Sequence, residues 1–414
     1  MAAAGARTSL PDRLVRGAAA LPFSLVIHTV EGRVLHIGDG AQTVEIRVRN
    51  RAGTRALRSM SELEIADAYV RGDLDLDGDL VLAMSLRDLL IDVKPWIRLW
   101  ARLQPALLGR TRCNPAWVAK HYDADNVQLL AADAEYNTYT PGIYEHDDDS
   151  LEAGARRKLD HAFAALGVGP GARVLDVGCG WGGFLRYCAA RGVHATGITL
   201  SRHQLEYASA RTPDGVPGTM EVLLADFFAY EPARRFEGIS MMGVVEDLSD
   251  YRRVLQRITR WLEPGGRVYC DFAVANVPFS TSSFVTRHIW PGTFRMIYLP
   301  ELMEALARSP FDIVEMHNDR RNYHLWTLGL HERWVRRRAE VIEAAGEQTW
   351  RLFRLLFAGV ASIMSPLNDR ATAYRVVLGS RRAAALGRHH RHAAADGAGV
   401  PERDTDAMRP TPAT

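Results

Sequence analysis

Cysteine is scarce: the 414-residue chain holds four, Cys113, Cys179, Cys188 and Cys270. None forms a CxxC pair or sits with histidines at zinc-ligand spacing, which excludes zinc-ribbon and dithiol redox sites and fits reduced thiols. Long apolar runs are missing too, since nothing approaches the ~20 residues that a membrane-spanning helix needs. The longest run, Leu355 to Met364, is short and broken by Gly359 and Ser362. A secretory leader starting from Arg13 and Arg16 would be interrupted by Pro22 and His28 and offers no evident cleavage site, so a cytoplasmic protein is expected. A surplus of one charge is absent: 51 Lys+Arg stand against 49 Asp+Glu, a formal net charge of +2. Nucleic-acid binders normally carry a strongly basic domain, so no nucleic acid is expected as partner, while a local basic patch for anionic lipid stays open. What the chain does have is 47% apolar and 24% charged residues, the balance of an ordinary globular protein. Its length allows two or three domains at ~150 residues each.

Residues 1–20 are Ala-rich and lightly basic and read as a flexible arm. From Leu25 apolar residues alternate with period two through Val34–Ile37 and, past Asp39-Gly40, through Val44, Ile46 and Val48. That pattern predicts short strands joined by a tight turn. Helices around 62–70 and 80–90 complete a small N-terminal α+β domain over 21–92. Between them Asp73-Leu-Asp75-Leu-Asp77-Gly78-Asp79 begins like a calcium loop, but its twelfth position is Met84 instead of a bidentate Glu, so it reads as a solvated acidic turn. Residues 93–150, rich in aromatics and prolines, suggest a helical connector and active-site lid.

From Ser150 the periodicity alternates: helix 150–166, strand 173–177, helix 183–191, strand 194–199, helix 201–211, strands 220–224 and 237–242, helix 250–262, strand 267–274. This rhythm predicts an α/β fold with a parallel, doubly wound sheet over 151–386. Arg333, Trp334, Arg336, Arg337 and Arg338, with Arg110 and Arg112 before Trp117, could dock on anionic headgroups or form a solvated surface. The aperiodic 387–414 reads as a disordered tail, with His389, His390 and His392 belonging to it and no metal expected.

The strongest signal is Val174-Leu175-Asp176-Val177-Gly178-Cys179-Gly180-Trp181-Gly182-Gly183, an apolar strand running into a glycine turn that opens a helix. Gly178, Gly180 and Gly183 have the spacing at which backbone approaches a nucleotide-like ligand. A dinucleotide enzyme needs a carboxylate about 20 residues further on to hold the ribose. Here the next strand ends instead at Thr199-Leu200-Ser201, with Gln204 one turn into the helix. Ala225-Asp226-Phe227 follows the strand after that, an acid and an aromatic suited to an adenine, and Trp181 would crowd a pyrophosphate. The ligand expected is therefore S-adenosyl-L-methionine (SAM), which carries no phosphate.

With these motifs the sequence resembles the cyclopropane-fatty-acid synthase family, which includes the mycolic acid cyclopropane synthases, over roughly 20–380. The resemblance rests on the glycine motif with Trp181, Thr199-Leu200-Ser201 with Gln204, Leu262-Glu263-Pro264-Gly265-Gly266, His121-Tyr122-Asp123 and Ala68-Tyr69-Val70-Arg71-Gly72-Asp73-Leu74. It implies a Rossmann-like class I SAM-dependent methyltransferase domain and a SAM pocket of Tyr139, Thr140, Gly178, Gly180, Leu200, Gln204, Ala225, Asp226 and Met242. It also implies a hydrophobic channel for an unsaturated acyl chain. Members hold a bicarbonate ion as general base, and this chain keeps the family's Glu as Glu246 and its Tyr as Tyr323. It has Pro141 at the Cys position and Asp271 at the His position. Proline brings no side-chain donor and no N–H, and a carboxylate beside Glu246 would repel an anion. The bicarbonate site is expected to be broken.

Methylating a cis alkene leaves a carbocation, and one proton must then leave to a base near the new methyl group. Immediate proton loss with ring closure gives a cyclopropane, whereas a preceding hydride shift gives an exomethylene branch. Glu246, Asp271 and Glu145 are the candidate replacement bases, with Tyr323 orienting one of them. Asp271 reads equally as a salt-bridged strand end, and Glu145 as the start of the acidic run Asp147-Asp148-Asp149. A rebuilt base site resembles the branch of the family that forms methylene-branched (10-methylenestearoyl, tuberculostearic-type) chains with a flavin-dependent reductase partner. The reading is a methyltransferase acting on an oleoyl-type phospholipid at the inner membrane face, as an oligomer or hetero-complex. The alternatives are a cyclopropane synthase with a protein base and a non-catalytic lipid-binding partner.

Overall fold

A computed structural model describes residues 17, 23–90, 129–248, 250–276, 282–289, 296–366, 368 and 370–381. Cys113, the 121–123 motif, Arg110, Arg112, Trp117 and the tail histidines lie outside the described residues.

The N-terminal module is a four-stranded sheet of order β2-β1-β3-β4. Strand β1 (Phe23–His28) pairs antiparallel with β2 (Val34–Ile37) and parallel with β3 (Gln42–Val48). Two helices, α1 (Arg51–Ser59) and α2 (Glu62–Arg71), cover it. Asn50 caps α1 and Ser61 caps α2 by accepting backbone N–H groups of the first turn. The acidic segment is not a turn: Leu74–Gly78 is strand β4, antiparallel to β3. Leu74 and Leu76 point into the core, while Asp75 pairs with Arg49 and Arg351, and Asp77 with Arg47. The Leu-x-Leu alternation is a period-two signal that the flanking aspartates obscured. A single helical turn, α3 (Leu80–Ala83), follows.

The second sheet has eight strands in the order β11-β12-β9-β8-β5-β6-β7, with β10 beside β9. Its elements in chain order are α4 (Leu151–Leu166), β5 (Arg173–Val177), α5 (Gly183–Ala189), β6 (His194–Thr199), α6 (Arg202–Ser209), β7 (Thr219–Leu224), β8 (Phe236–Met242), α7 (Tyr251–Trp261) and β9 (Leu262–Ala275). Then come α8 (Ser283–His288), β10 (Ile297–Tyr298), α9 (Leu299–Ala307), β11 (Phe311–Asn318), α10 (Arg320–Arg336), α11 (Arg338–Met364) and β12 (Ala371–Ser380). Strands β5 to β9 are mutually parallel, and β11 and β12 form an antiparallel edge. This is the doubly wound sheet predicted from the βαβ rhythm. Its strand order reverses between β5 and β8, the switch point where such sheets open a crevice at the carboxyl ends of their strands.

Helices α10 and α11 pack on one another, with α11 kinked at Gly346 (φ 83°), and they close the N-terminal module. One core cluster runs from Phe23, Leu25 and Tyr69 to Trp334, Phe353 and Phe357. Arg351 donates to the carbonyls of Tyr69 and Leu74, and Arg354 to the Tyr69 hydroxyl and the Leu76 carbonyl. The indole in the basic segment 333–338 is therefore not available for docking. Trp334 is wholly buried, Arg333 holds Glu152 and the Ala132 carbonyl, and Arg337 and Arg338 pair with Glu340 and Glu347. No helix among the described residues is long and apolar enough to cross a membrane.

Candidate active site

The switch point holds a cleft of about 410 Å³. All nine residues expected to hold SAM line it: Tyr139, Thr140, Gly178, Gly180, Leu200, Gln204, Ala225, Asp226 and Met242. They arrive on the loops after β5, β6 and β7, on the first turn of α6, at the end of β8 and on the 137–140 segment. Gly178 turns with φ 68°, a conformation a side chain would strain, and its N–H and that of Cys179 donate to the Ile198 carbonyl. At Gly183 a methyl group would lie 2.3 Å from the Tyr136 carbonyl oxygen, so only glycine lets the 136–140 segment close over the turn. Thr199 Oγ1 donates to Gln204 Oε1 at 2.7 Å and fixes that amide. Asp226 Oδ1 accepts from the N–H of Phe228 (2.7 Å) and Ala229 (3.2 Å), which holds its carboxylate at the rim. Trp181 is buried edge-on against Tyr207.

Asp133 is a residue the sequence reading missed. It is 2% exposed and accepts from the N–H of Tyr136, Asn137 and Thr138 and from Thr138 Oγ1, at 2.5–3.2 Å. This one carboxylate shapes the turn that delivers Tyr139 and Thr140. Asp176, at the end of β5, accepts from Ser240 Oγ at 2.5 Å, and burial pushes its carboxyl up to about 7.

A second cavity of about 340 Å³ meets the cleft at Tyr139, Thr140 and Gly243 and extends between the second sheet, α11 and the N-terminal module. Its walls are apolar for most of their extent, with Leu57, Ile65, Phe284, Trp326, Leu356 and Ile363 among them. Where it meets the cleft it is polar. Glu246, in the turn after β8, accepts at Oε1 from the Ala273 N–H (2.8 Å), and its Oε2 is shut from solvent with no partner. Burial pushes its carboxyl up to about 8, with the charges of Asp247 and Asp271 adding to the shift and the Ala273 N–H opposing it. Tyr323 lines the same wall, edge-on to Trp326 at 5.3 Å, its phenol raised by burial and then by the Glu246 and Asp271 charges.

Asp271 is 6% exposed on β9 and forms a salt bridge with Lys158 Nζ at 2.7 Å. Lys158, on α4, is 1% exposed and also donates to Thr140 Oγ1. A fully buried ammonium is rare and requires a partner. Of the two readings the sequence left open for Asp271, this is the salt-bridged strand end, and its partner Lys158 is the residue the sequence did not single out. The signal was there, since Lys158 falls on the face of α4 that Ala155, Leu159 and Ala162 bury. Pro141 also lines this cavity. Glu145 does not: its side chain is 65% exposed, 3.5 Å from Arg157, so it is a surface ion-pair residue and no base.

The sequence profile of the mycolic acid cyclopropane synthetase family matches residues 110–367. The chain is 25% identical over 351 residues to a "Probable fatty acid methyltransferase" of Pseudomonas putida, covering 80% of this chain and 86% of that one. It is 26% identical over 330 residues to the cyclopropane-fatty-acyl-phospholipid synthase of Escherichia coli K12, covering 76% and 83%. In fold it is similar to the mycolic acid cyclopropane synthase CmaA1, solved with SAH and CTAB, at a TM-score of 0.59 and 20% identity over 65% of this chain and 99% of that one.

Proposed function

The chain belongs to the mycolic acid cyclopropane synthetase family, and from that premise we propose that it is a SAM-dependent methyltransferase that converts the cis double bond of an unsaturated phospholipid acyl chain into a methylene branch. The observation that carries this reading is the polar cluster of Glu246, Asp271 and Lys158 set where the apolar cavity meets the nucleotide-type cleft. When bound, SAM supplies an electrophilic methyl group. The nine cleft residues would hold it, with the glycine turn giving it close backbone approach and Gln204 and Asp226 offering polar contacts. The apolar cavity would take the acyl chain and exclude water from a developing cation. Homologues named for fatty acids and for acyl phospholipids support that substrate class.

The chain's own residues then handle the proton. Glu246 Oε2, unpartnered and facing the cavity, accepts it. A carboxyl pushed up to about 8 is mostly protonated at neutral pH and so is a sparse base. The methylene branch is the product when a hydride shift precedes this proton transfer. The Lys158–Asp271 salt bridge takes the place of the family's His and keeps a second, uncompensated negative charge away from Glu246. The product would suit later saturation by a flavin-dependent reductase, and the phospholipid substrate places the enzyme at a membrane surface.

The test is incubation with methyl-labelled SAM and either dioleoyl or distearoyl phosphatidylglycerol vesicles. Label is expected in the oleoyl chains alone. No label in either lipid, under conditions where the protein binds SAM, contradicts the reading.

A further inference from the structure

Outside both cavities, three metal-ligating side chains converge from two elements. His161 lies on α4, one turn beyond Lys158, while Glu315 and His317 sit two residues apart on edge strand β11 and so share one face of it. His161 Nε2 is 3.9 Å and His317 Nε2 3.5 Å from Glu315 Oε2, and the three ligand atoms all lie within 4.8 Å of one another. The geometry points to a binding site for a divalent transition-metal ion, zinc(II) in the first place, formed by His161, Glu315 and His317 and clipping α4 to β11.

A point equidistant from three atoms so spaced lies about 2.5 Å from each, and a small side-chain rotation brings it to the ~2.0–2.2 Å of zinc–nitrogen and zinc–oxygen bonds. His161 Nε2 is buried with no hydrogen-bond partner, a lone pair or N–H left unused. Its ring is held by edge contacts to Tyr269 and to His317. Burial and the nearby Arg375 charge lower its proton affinity, which favours the neutral imidazole that binds metals. Arg375 is itself neutralised by Asp319 at 2.8 Å. Glu315 and His317 remain 39% and 46% exposed on their side chains, so a water can complete a four-coordinate shell.

Untagged full-length protein, stripped with a chelator, is titrated with Zn²⁺ by calorimetry and with Co²⁺ by visible absorption. The expected result is one equivalent of Zn²⁺ and the intense visible bands of low-coordinate Co²⁺. His161→Ala or His317→Ala should weaken binding at least tenfold, and His389→Ala/His390→Ala/His392→Ala, which removes the tail histidines, should leave it unchanged. Absence of saturable binding overturns the site. So does binding that survives His161→Ala/His317→Ala and disappears with the tail histidines.

Discussion

Glu246 carries a carboxyl that burial pushes from an ordinary 4.5 up to about 8, and two consequences follow at this one residue. In the proposed role of general base it must lose its proton before it works, so kcat should rise with pH through about 8. Glu246→Gln should lower turnover by about 10²- to 10⁴-fold while leaving SAM affinity, read by calorimetry, intact. Between about pH 4.5 and 8 the folded state binds more protons at this site than the unfolded state, so the contribution of Glu246 to stability falls as pH rises across that window. In urea unfolding, wild type should therefore lose ground to Glu246→Gln between pH 5 and pH 9. An unchanged gap would place this carboxyl at its ordinary value. Lys158 and Asp271 give the complementary prediction. Lys158→Met leaves a buried carboxylate without its partner and should cost about 3–5 kcal/mol, most of it recovered in Lys158→Met/Asp271→Leu, where both charges are gone. Recovery in the double variant is the sign of the pair, since a merely lost packing contact would not be restored.

At the scale of elements, the cleft depends on a turn with no regular secondary structure. Four hydrogen bonds converge on Asp133 and hold 136–140 against the glycine loop. Asp133→Ala should weaken SAM binding at least tenfold, about 1.4 kcal/mol, without touching a residue of the glycine motif. Unchanged affinity would mean that Gly183 and its neighbours hold the segment alone. Asp133 stood in the sequence as one acid among many in a stretch without periodicity, whereas the glycine motif was legible because it joins a strand to a helix. The same contrast explains β4. Its two leucines alternate over too short a span to outweigh four aspartates, and only Arg47, Arg49 and Arg351, distant in sequence, pair with the acids of the strand. Trp334 was misjudged in the opposite direction. Four basic neighbours suggested a surface, but the heads of Arg333 and Arg337 reach back to a carbonyl and a glutamate while the indole fills the core.

For the whole molecule, the N-terminal module and the methyltransferase-type sheet share α10 and α11. Phe23 and Phe357 belong to one core, and the apolar cavity has walls from both parts. Thermal unfolding should accordingly be one transition, with near-UV and far-UV circular dichroism coinciding. Two separable transitions would show that the module folds by itself. The sequence pattern conveyed two regions, because each has its own strand periodicity, but could not convey that C-terminal helices bridge them. The central claim is that Glu246, beside a Lys158–Asp271 salt bridge, deprotonates a cation that has already undergone a hydride shift. Oleoyl phospholipid deuterated at both alkene carbons, treated with the enzyme and SAM and analysed by proton and deuterium NMR, tests this most directly. The account predicts vinylidene protons and both deuterons on a single neighbouring chain carbon. Upfield ring protons with one deuteron on each ring carbon would contradict it and identify a cyclopropane synthase.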